Sequence, residues 1–247
     1  MKTIGIVCEG PRDFDMLTQV IMRFMNEEYL FLPIQPAQDI SSPHGAGWKG
    51  VLRWCTEYKD SLLEYFSGID PQIDLLVIQI DGDVPRCEHE IYCNAVDIGC
   101  SGQTYEDPLN CSIAKKDSCN QILPPNAVCD GSVQARVCFM ESTINDALGR
   151  TDGVPIVITI PCDSMDTWII AACDASKPNP EEIISPWESI ISLRKDYFGV
   201  RISGHKKHRK PYSDLIAKVC EKWDDVKQRC PQSSRFESLA RTILDHR

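Results

Sequence analysis

Three apolar runs of strand length each end immediately before acidic residues, and this repeated arrangement limits what the chain can fold into. The runs and the acids that follow them are residues 4–8 with Glu9, residues 75–80 with Asp81 and Asp83, and residues 154–160 with Asp163 and Asp166. In an open α/β sheet the ligand site lies beyond the carboxyl ends of the strands, so side chains from distant segments converge there. The pattern therefore predicts one acidic site at one edge of a mostly parallel sheet.

The segments between these runs have the spacing of helices, which completes an α/β pattern. Residues 29–34 are a further predicted strand, and apolar residues recur at helical spacing in segments 14–25, 51–65, 133–148, 165–173, 186–193, 211–223 and 232–244. The run 74–80 is almost continuously apolar, which is typical of a central parallel strand covered on both faces. We predict an α/β fold with a mostly parallel central sheet flanked by helices and a helical C-terminal portion, residues 186–247.

Length and composition predict how many domains the chain forms and where the protein is located. The chain has 247 residues, of which 43% are hydrophobic, so we predict a single domain over residues 1–247 with a substantial core. The first apolar run is too short for a signal peptide and is interrupted by Glu9, and no segment approaches the roughly 18 apolar residues of a membrane span. We expect a cytoplasmic protein with no membrane association.

Charge is unevenly distributed along the chain. The net charge of −10 argues against non-specific coating of nucleic acid, because Lys and Arg dominate phosphate binding. Between residues 194 and 222, however, nine Lys and Arg residues stand against three acids, so this segment can hold a polyanion at one place. We predict that Lys206, Lys207, Arg209 and Lys210 bind substrate phosphates and that Lys207 or Lys210 stabilises transition-state charge. The alternative is a solvated loop before a helix.

Residues 84–130 interrupt the pattern and are predicted to be a cysteine-rich insertion. They hold six of the 13 cysteines and lack the periodicity of a helix or strand, and an irregular loop of that length is uncommon inside a compact domain. Cys87, His89 and Cys93 are candidate ligands of a structural Zn²⁺, which would supply folding energy directly. The alternative is reduced thiols, because the chain has neither a Cys-x-x-Cys pair nor a secretion signal.

The predicted acidic site has the composition of a divalent-metal site. Each motif alone also fits a simple turn, since Asp and Gly tolerate unusual backbone angles, and Asp13 also fits a helix cap. Three carboxylates within ~4–6 Å of one another would, however, repel by about 4 kcal/mol per pair at an effective dielectric constant near ~20 unless a cation neutralised them. Hard oxygen ligands suit Mg²⁺ or Mn²⁺, and such a site can activate water at a phosphodiester.

Two of these motifs, taken in order, resemble the signature of the Toprim fold. Residues 9–13 (EGPRD) after one strand and residues 81–83 (DGD) after a later strand are similar to that signature in topoisomerases, primases and the nucleases linked to overcoming-lysogenization-defect ATPases. The segments 160–171 and 223–237 resemble parts of a Toprim-like family of uncharacterised bacterial proteins. The resemblance covers nearly the whole chain apart from the cysteine-rich insertion.

The resemblance implies roles for individual side chains. Glu9 corresponds to a metal ligand or a general acid or base, Asp81 and Asp83 correspond to metal ligands, and Asp166 is a further acidic contributor. Members of the family usually carry Glu at the position of Asp166, and the shorter Asp reaches less far. Arg12, which lies within the first motif, is predicted to bind substrate.

The expected function is Mg²⁺- or Mn²⁺-dependent cleavage of phosphodiester bonds in DNA or RNA. The resemblance implies a nucleic-acid substrate and a role in bacterial anti-phage defence beside an ATPase partner. Topoisomerase and primase activities are not expected, because the sequence has neither a topoisomerase tyrosine module nor a primase zinc-binding domain. Two alternatives remain open: a non-catalytic Toprim-like binding subunit, and a hydrolase or transferase acting on a small nucleotide.

Overall fold

A parallel sheet of four strands forms the centre of the fold. The computed structural model describes residues 1–25, 27–36, 44–84, 132–193, 196–202 and 204–246. The strands are β1 (Lys2–Val7), β2 (Tyr29–Gln35), β3 (Leu75–Gln79) and β4 (Ile156–Thr159). They lie in the order β2-β1-β3-β4, and each neighbouring pair is parallel. The carboxyl ends of all four strands therefore lie at the same edge of the sheet.

Helices cover both faces of this sheet, so the predicted α/β class is confirmed. The helices are α1 (Pro11–Met25), α2 (Gly47–Glu57), α3 (Leu62–Gly68), α4 (Val133–Leu148), α5 (Asp166–Cys173), α6 (Pro186–Ser192), α7 (Arg209–Glu221), α8 (Trp223–Arg229) and α9 (Pro231–Asp245). One face packs against α1 and α5 to α9, and the other packs against α2, α3 and α4. The C-terminal portion is helical, as the sequence predicts.

The alternation of side chains along β3 explains why its sequence is apolar throughout. Leu75 and Val77 are fully buried in the core on the α1 side, whereas Leu76 and Ile78 are fully buried in the core on the α2 side. Successive residues of a strand point to opposite faces, so a strand with helices on both sides needs apolar residues at every position. The prediction of a central, doubly covered strand over residues 74–80 is confirmed.

One predicted helix is two helices in the structure. The spacing of apolar residues over 51–65 predicts a single helix, but α2 ends at Glu57 and α3 begins at Leu62. Between them Asp60 has a φ of 57°. Its amide donates to the Leu148 carbonyl at 2.9 Å, and its carboxylate accepts from the Arg150 amide at 2.8 Å. The break is thus stabilised by contacts with the end of α4, which local periodicity does not contain.

The structure tests the expectations about membrane association and about the cysteines only in part. No helix in the described ranges is long and apolar enough to cross a membrane. The seven cysteines of those ranges are all free thiols, in keeping with the expectation of reduced cysteines there. The candidate zinc ligands Cys87, His89 and Cys93 lie outside the described residues.

Candidate active site

The carboxyl ends of β1 and β3 bring Glu9 into contact with the Asp81 segment. The backbone amide of Asp81 donates a hydrogen bond to Glu9 Oε1 at 2.6 Å. Gln79, the last residue of β3, also joins the two segments: its Oε1 accepts from the Glu9 amide at 3.2 Å, and its Nε2 donates to Asp81 Oδ1 at 2.7 Å. Because β1 and β3 are neighbours, acids that are distant in sequence share one site.

Two further acids, Asp13 and Asp83, affect the pKa values of Glu9 and Asp81. Burial raises the pKa of Glu9 to about 8, and the negative charges of Asp13 and Asp83 add to that shift. Burial also raises the pKa of Asp81 well above its ordinary value, with the charge of Glu9 as the next cause. Asp13 lies in the first turn of α1, and burial raises its pKa to about 6. Burial therefore favours the protonated forms of these acids, and the negative charge of each acid opposes ionisation of the others.

Asp166 brings the basic segment to these acids. It is the first residue of α5 and is only 1% exposed, and its Oδ2 lies 2.7 Å from Lys207 Nζ. Its Oδ1 accepts from the Tyr212 hydroxyl at 3.0 Å, and its Oδ2 accepts from Ser164 Oγ at 3.2 Å. Lys207 Nζ also lies 5.6 Å from the centre of the Trp187 ring. The ammonium group is thus held by a carboxylate and an aromatic face.

Lys207 is a cation that several of the acids share. Burial opposes its charge, but Asp166 and then Asp13 and Asp81 favour it, so that the pKa of Lys207 is raised overall. Its positive charge in turn lowers the pKa of both Glu9 and Asp81 against the larger effect of burial. One ammonium group does not balance the five carboxylates of Glu9, Asp13, Asp81, Asp83 and Asp166, so the site is net negative when its acids are ionised.

Backbone contacts fix the loop that carries Asp81 and Asp83. The amide of Gly82 donates to the Pro161 carbonyl at 3.0 Å, and the amide of Asp83 donates to the Asp163 carbonyl at 3.1 Å. A Cβ atom on Gly82 would lie 2.2 Å from the Cys162 carbonyl oxygen. Glycine therefore permits an approach of the two loops that no other residue allows.

Asp163 has a different surrounding from the other acids that follow strands. It is 1% exposed, its Oδ1 lies 3.7 Å from Arg136 Nη2, and its Oδ2 accepts from the Ser185 amide at 2.7 Å. These contacts join the end of β4 to α4 and to the loop before α6. Asp163 thus stabilises the backbone that supports Asp83.

The structure separates the two lysines that the sequence offers for transition-state stabilisation. Lys207 forms the ion pair with Asp166, whereas Lys210 is exposed on α7 and, within the described part of the chain, makes no ion pair with the cluster. Lys206 and Arg209 are also exposed. Arg12 pairs with Asp15 on α1 at 2.5 Å.

Three residues of the site were not predicted from the sequence. Gln79 carried a signal, because it is a polar residue at the end of an otherwise apolar strand, and it is fully buried. Ser164 lies in the segment 160–171 that carries part of the family resemblance, but no role was predicted for it. Tyr212 is fully buried, and its helical periodicity indicates burial without revealing that its hydroxyl reaches Asp166.

The side chains of the cluster supply oxygen donors but do not form a ready ligand set for a cation. Glu9, Asp81 and Asp83 offer carboxylate oxygens, which are the donors that Mg²⁺ and Mn²⁺ prefer. The raised pKa values of Glu9 and Asp81 reflect negative charge that burial leaves uncompensated. In the described ranges, however, no three Asp, Glu, His or Cys residues are arranged to hold an ion.

Comparisons of the chain with protein-family models, with curated proteins and with solved structures found no match. The structure itself shows an α/β fold with acidic side chains gathered at the carboxyl ends of its parallel strands.

Proposed function

We propose that the chain is a Toprim-like phosphodiesterase that cleaves nucleic acid with Mg²⁺ or Mn²⁺. The observation that carries this proposal is the contact between Glu9 and the Asp81 segment at the ends of neighbouring parallel strands. The Lys207–Asp166 ion pair places a cation in the same cluster. Carboxylates for a metal and an ammonium group for phosphate oxygens are the groups that phosphodiester cleavage needs, because negative charge develops at the attacked phosphate.

The acids and the lysine have separate roles in the proposed reaction. Asp81 and Asp83 would hold the divalent cation, which when bound supplies Lewis acidity and lowers the pKa of water. Glu9 would either complete the ligand set or accept a proton from the attacking water. Lys207 would stabilise the charge that develops on the phosphate oxygens.

Tyr212 and Ser164 act through Asp166 as positioning residues. Both hydroxyl groups donate to the Asp166 carboxylate, which pairs with Lys207 Nζ. A carboxylate fixed by two hydrogen bonds holds the ammonium group in one place, and a preorganised charge costs less reorganisation when the reaction begins.

A second candidate function is a non-catalytic nucleic-acid-binding subunit, and one observation favours it. Glu9 Oε1 and Asp81 Oδ1 already accept hydrogen bonds from the protein at 2.6 and 2.7 Å. In a binding subunit these contacts would simply hold the strand ends together, while the exposed cations at Lys206, Arg209 and Lys210 bind the partner.

A nuclease assay on single- and double-stranded DNA and RNA separates the two candidates. Wild-type protein should cleave at least one substrate in Mn²⁺ and none in EDTA. Glu9→Gln, Asp81→Asn and Lys207→Met should each lower kcat by at least about 100-fold. Glu64→Gln and Lys59→Met, which alter exposed side chains on α3 and beyond the end of α2, are the matched controls and should retain wild-type kcat.

The results of this assay and of Mn²⁺ titration decide between the functions. Equal cleavage by wild type and by the three site variants would assign the activity to a contaminant and contradict the proposed catalytic site. Binding of nucleic acid with no cleavage, and no Mn²⁺ binding that depends on Asp81, would establish the second candidate.

A further inference from the structure

A groove lies between α1 and α7. It consists of two neighbouring cavities that share Asp15 and Arg209 in their walls. The first cavity, of about 500 Å³, lies between the start of α1 and the end of β2 and is also lined by Pro11, Arg12 and Phe14. The second, of about 330 Å³, continues between the two helices and is also lined by Ser213 and other residues of both.

The first cavity lies at the same edge of the sheet as the acidic site, because Pro11 and Pro36 in its wall follow the carboxyl ends of β1 and β2. On α1 the positions 11, 12, 14, 15, 18 and 19 line the groove, a spacing that places them on one side of the helix with Asp13 on the opposite side. Asp13 lies between them in sequence but belongs to the buried acid cluster. On α7 the groove begins at Arg209, only two residues after Lys207, which pairs with Asp166. The groove therefore begins next to the two segments that carry Asp13 and Lys207.

The lining of the first cavity combines flat apolar surfaces with two cations. Phe14 is partly exposed, and Pro11, Pro33 and Pro36 line the same cavity. Arg12 and Arg209 supply positive charge. Aromatic side chains stack on nucleic-acid bases, and cations in the same groove follow the phosphate backbone. A volume of about 500 Å³ lies within the usual range of small-ligand pockets, roughly 300–1,000 Å³.

We propose that the α1–α7 groove binds a single strand of the nucleic acid on one side of the bond that is cleaved. A base stacks against Phe14 in the first cavity, and phosphates lie beside Arg12 and Arg209. The strand then continues along the second cavity, where Ser213 offers a hydroxyl group. Arg12 exchanges its contact with Asp15 for a phosphate when the strand binds. This inference rests on the proposed function, because it supplies the substrate that the acidic site would cleave.

Binding of a 5′-phosphorylated pentathymidylate, measured by isothermal titration calorimetry in EDTA, tests the groove without cleavage. The double variant Arg12→Ala/Arg209→Ala should weaken Kd by at least about tenfold and reduce the slope of log Kd against log salt concentration by about 1.4. Phe14→Leu keeps an apolar side chain in the core contact but cannot stack, and should weaken Kd by about fivefold or more. The control Lys59→Ala/Arg150→Ala removes two exposed cations outside the groove and should bind like wild type.

The outcomes distinguish this inference from the proposed function. Wild-type Kd and salt slope in the arginine double variant, or an equal loss in the control, would overturn the groove as the binding site. If that double variant also cleaved the oligonucleotide with wild-type kcat/KM in Mn²⁺, the proposed function would stand without the groove. Arginine-dependent binding in EDTA with no cleavage in Mn²⁺ would support the groove and contradict the proposed catalysis.

Discussion

At the scale of single residues, the protonation of Glu9 links the site to the stability of the fold. Its pKa is raised from the usual 4.5 to about 8. A carboxyl group with a higher pKa in the folded state stabilises the fold fully below its unfolded pKa, and this contribution is lost as pH rises through the folded pKa. We expect the unfolding free energy of the cation-free protein to fall by roughly 1–3 kcal/mol through Glu9 between about pH 4.5 and about pH 8.

The variant Glu9→Gln isolates that contribution. Gln keeps an oxygen that can accept from the Asp81 amide but cannot ionise, so the variant should be more stable than wild type at about pH 8 and lose part of the pH dependence. Urea unfolding in EDTA at about pH 5 and about pH 8 measures the difference. Glu64→Gln on the exposed side of α3 is the control. The same pH dependence in wild type and Glu9→Gln would show that folding does not raise the pKa of Glu9.

The Lys207–Asp166 pair should contribute to stability as well as to the proposed chemistry. Asp166 is 1% exposed, so Lys207→Met leaves a buried carboxylate without its counter-charge. The loss should be about 1–3 kcal/mol, below the 3–5 kcal/mol of a fully buried pair, because the Lys207 side chain is 30% exposed. Asp166→Asn/Lys207→Met should recover part of that loss, which a double-mutant cycle measures by urea unfolding. Lys206→Met provides the exposed control, and additive losses would exclude coupling.

The residues of the site differ in how far the sequence reveals them. Glu9, Asp81 and Asp83 were predictable as neighbours because each follows a strand, and parallel strands end at one edge. The contact of Asp166 with Tyr212 was not predictable, because an amphipathic pattern indicates which side of α7 is buried but not the partner that it meets. The proposed roles of these residues remain predictions.

At the scale of secondary-structure elements, the close packing of the 81–83 loop against the 161–163 loop depends on Gly82. In Gly82→Ala the new Cβ would meet a backbone oxygen at 2.2 Å, and a backbone atom cannot move aside like the end of a side chain. We expect a loss of about 1–3 kcal/mol and a larger relative loss of Mn²⁺ affinity, because Asp81 and Asp83 move together. Gly68→Ala, with no atom within 4 Å of the new Cβ, is the control for thermal unfolding and Mn²⁺ titration. A wild-type Mn²⁺ affinity in Gly82→Ala would contradict the expected displacement.

Helices were predicted accurately from the sequence where the tertiary packing agreed with the periodicity of the apolar residues. The predicted helix 133–148 coincides with α4, whose N-cap Ser132 accepts from the Ala135 amide at 3.1 Å. The prediction over 211–223 was less accurate, because α7 ends at Glu221 and a separate helix, α8, begins at Trp223. Trp223 packs in the core against Phe24 and Trp168. The boundary between α7 and α8 therefore lies at a residue with tertiary contacts in the core, and hydrophobic spacing alone does not reveal it.

At the scale of the whole molecule, the sheet couples two hydrophobic cores that do not share helices. Leu148 of α4 lies in one core and Leu244 of α9 in the other, and both are fully buried. Neighbouring residues of β3 contribute to opposite cores, so neither core can lose its sheet surface without exposing the other.

We expect Leu148→Ala and Leu244→Ala each to lower the unfolding free energy by about 2–5 kcal/mol within one cooperative transition. Urea unfolding followed by tryptophan fluorescence and by far-ultraviolet circular dichroism should give coincident curves with an unchanged m value. Leu63→Ala, at an exposed position on α3, should change the midpoint little, whereas two separated transitions in either core variant would mean that the cores unfold as independent domains.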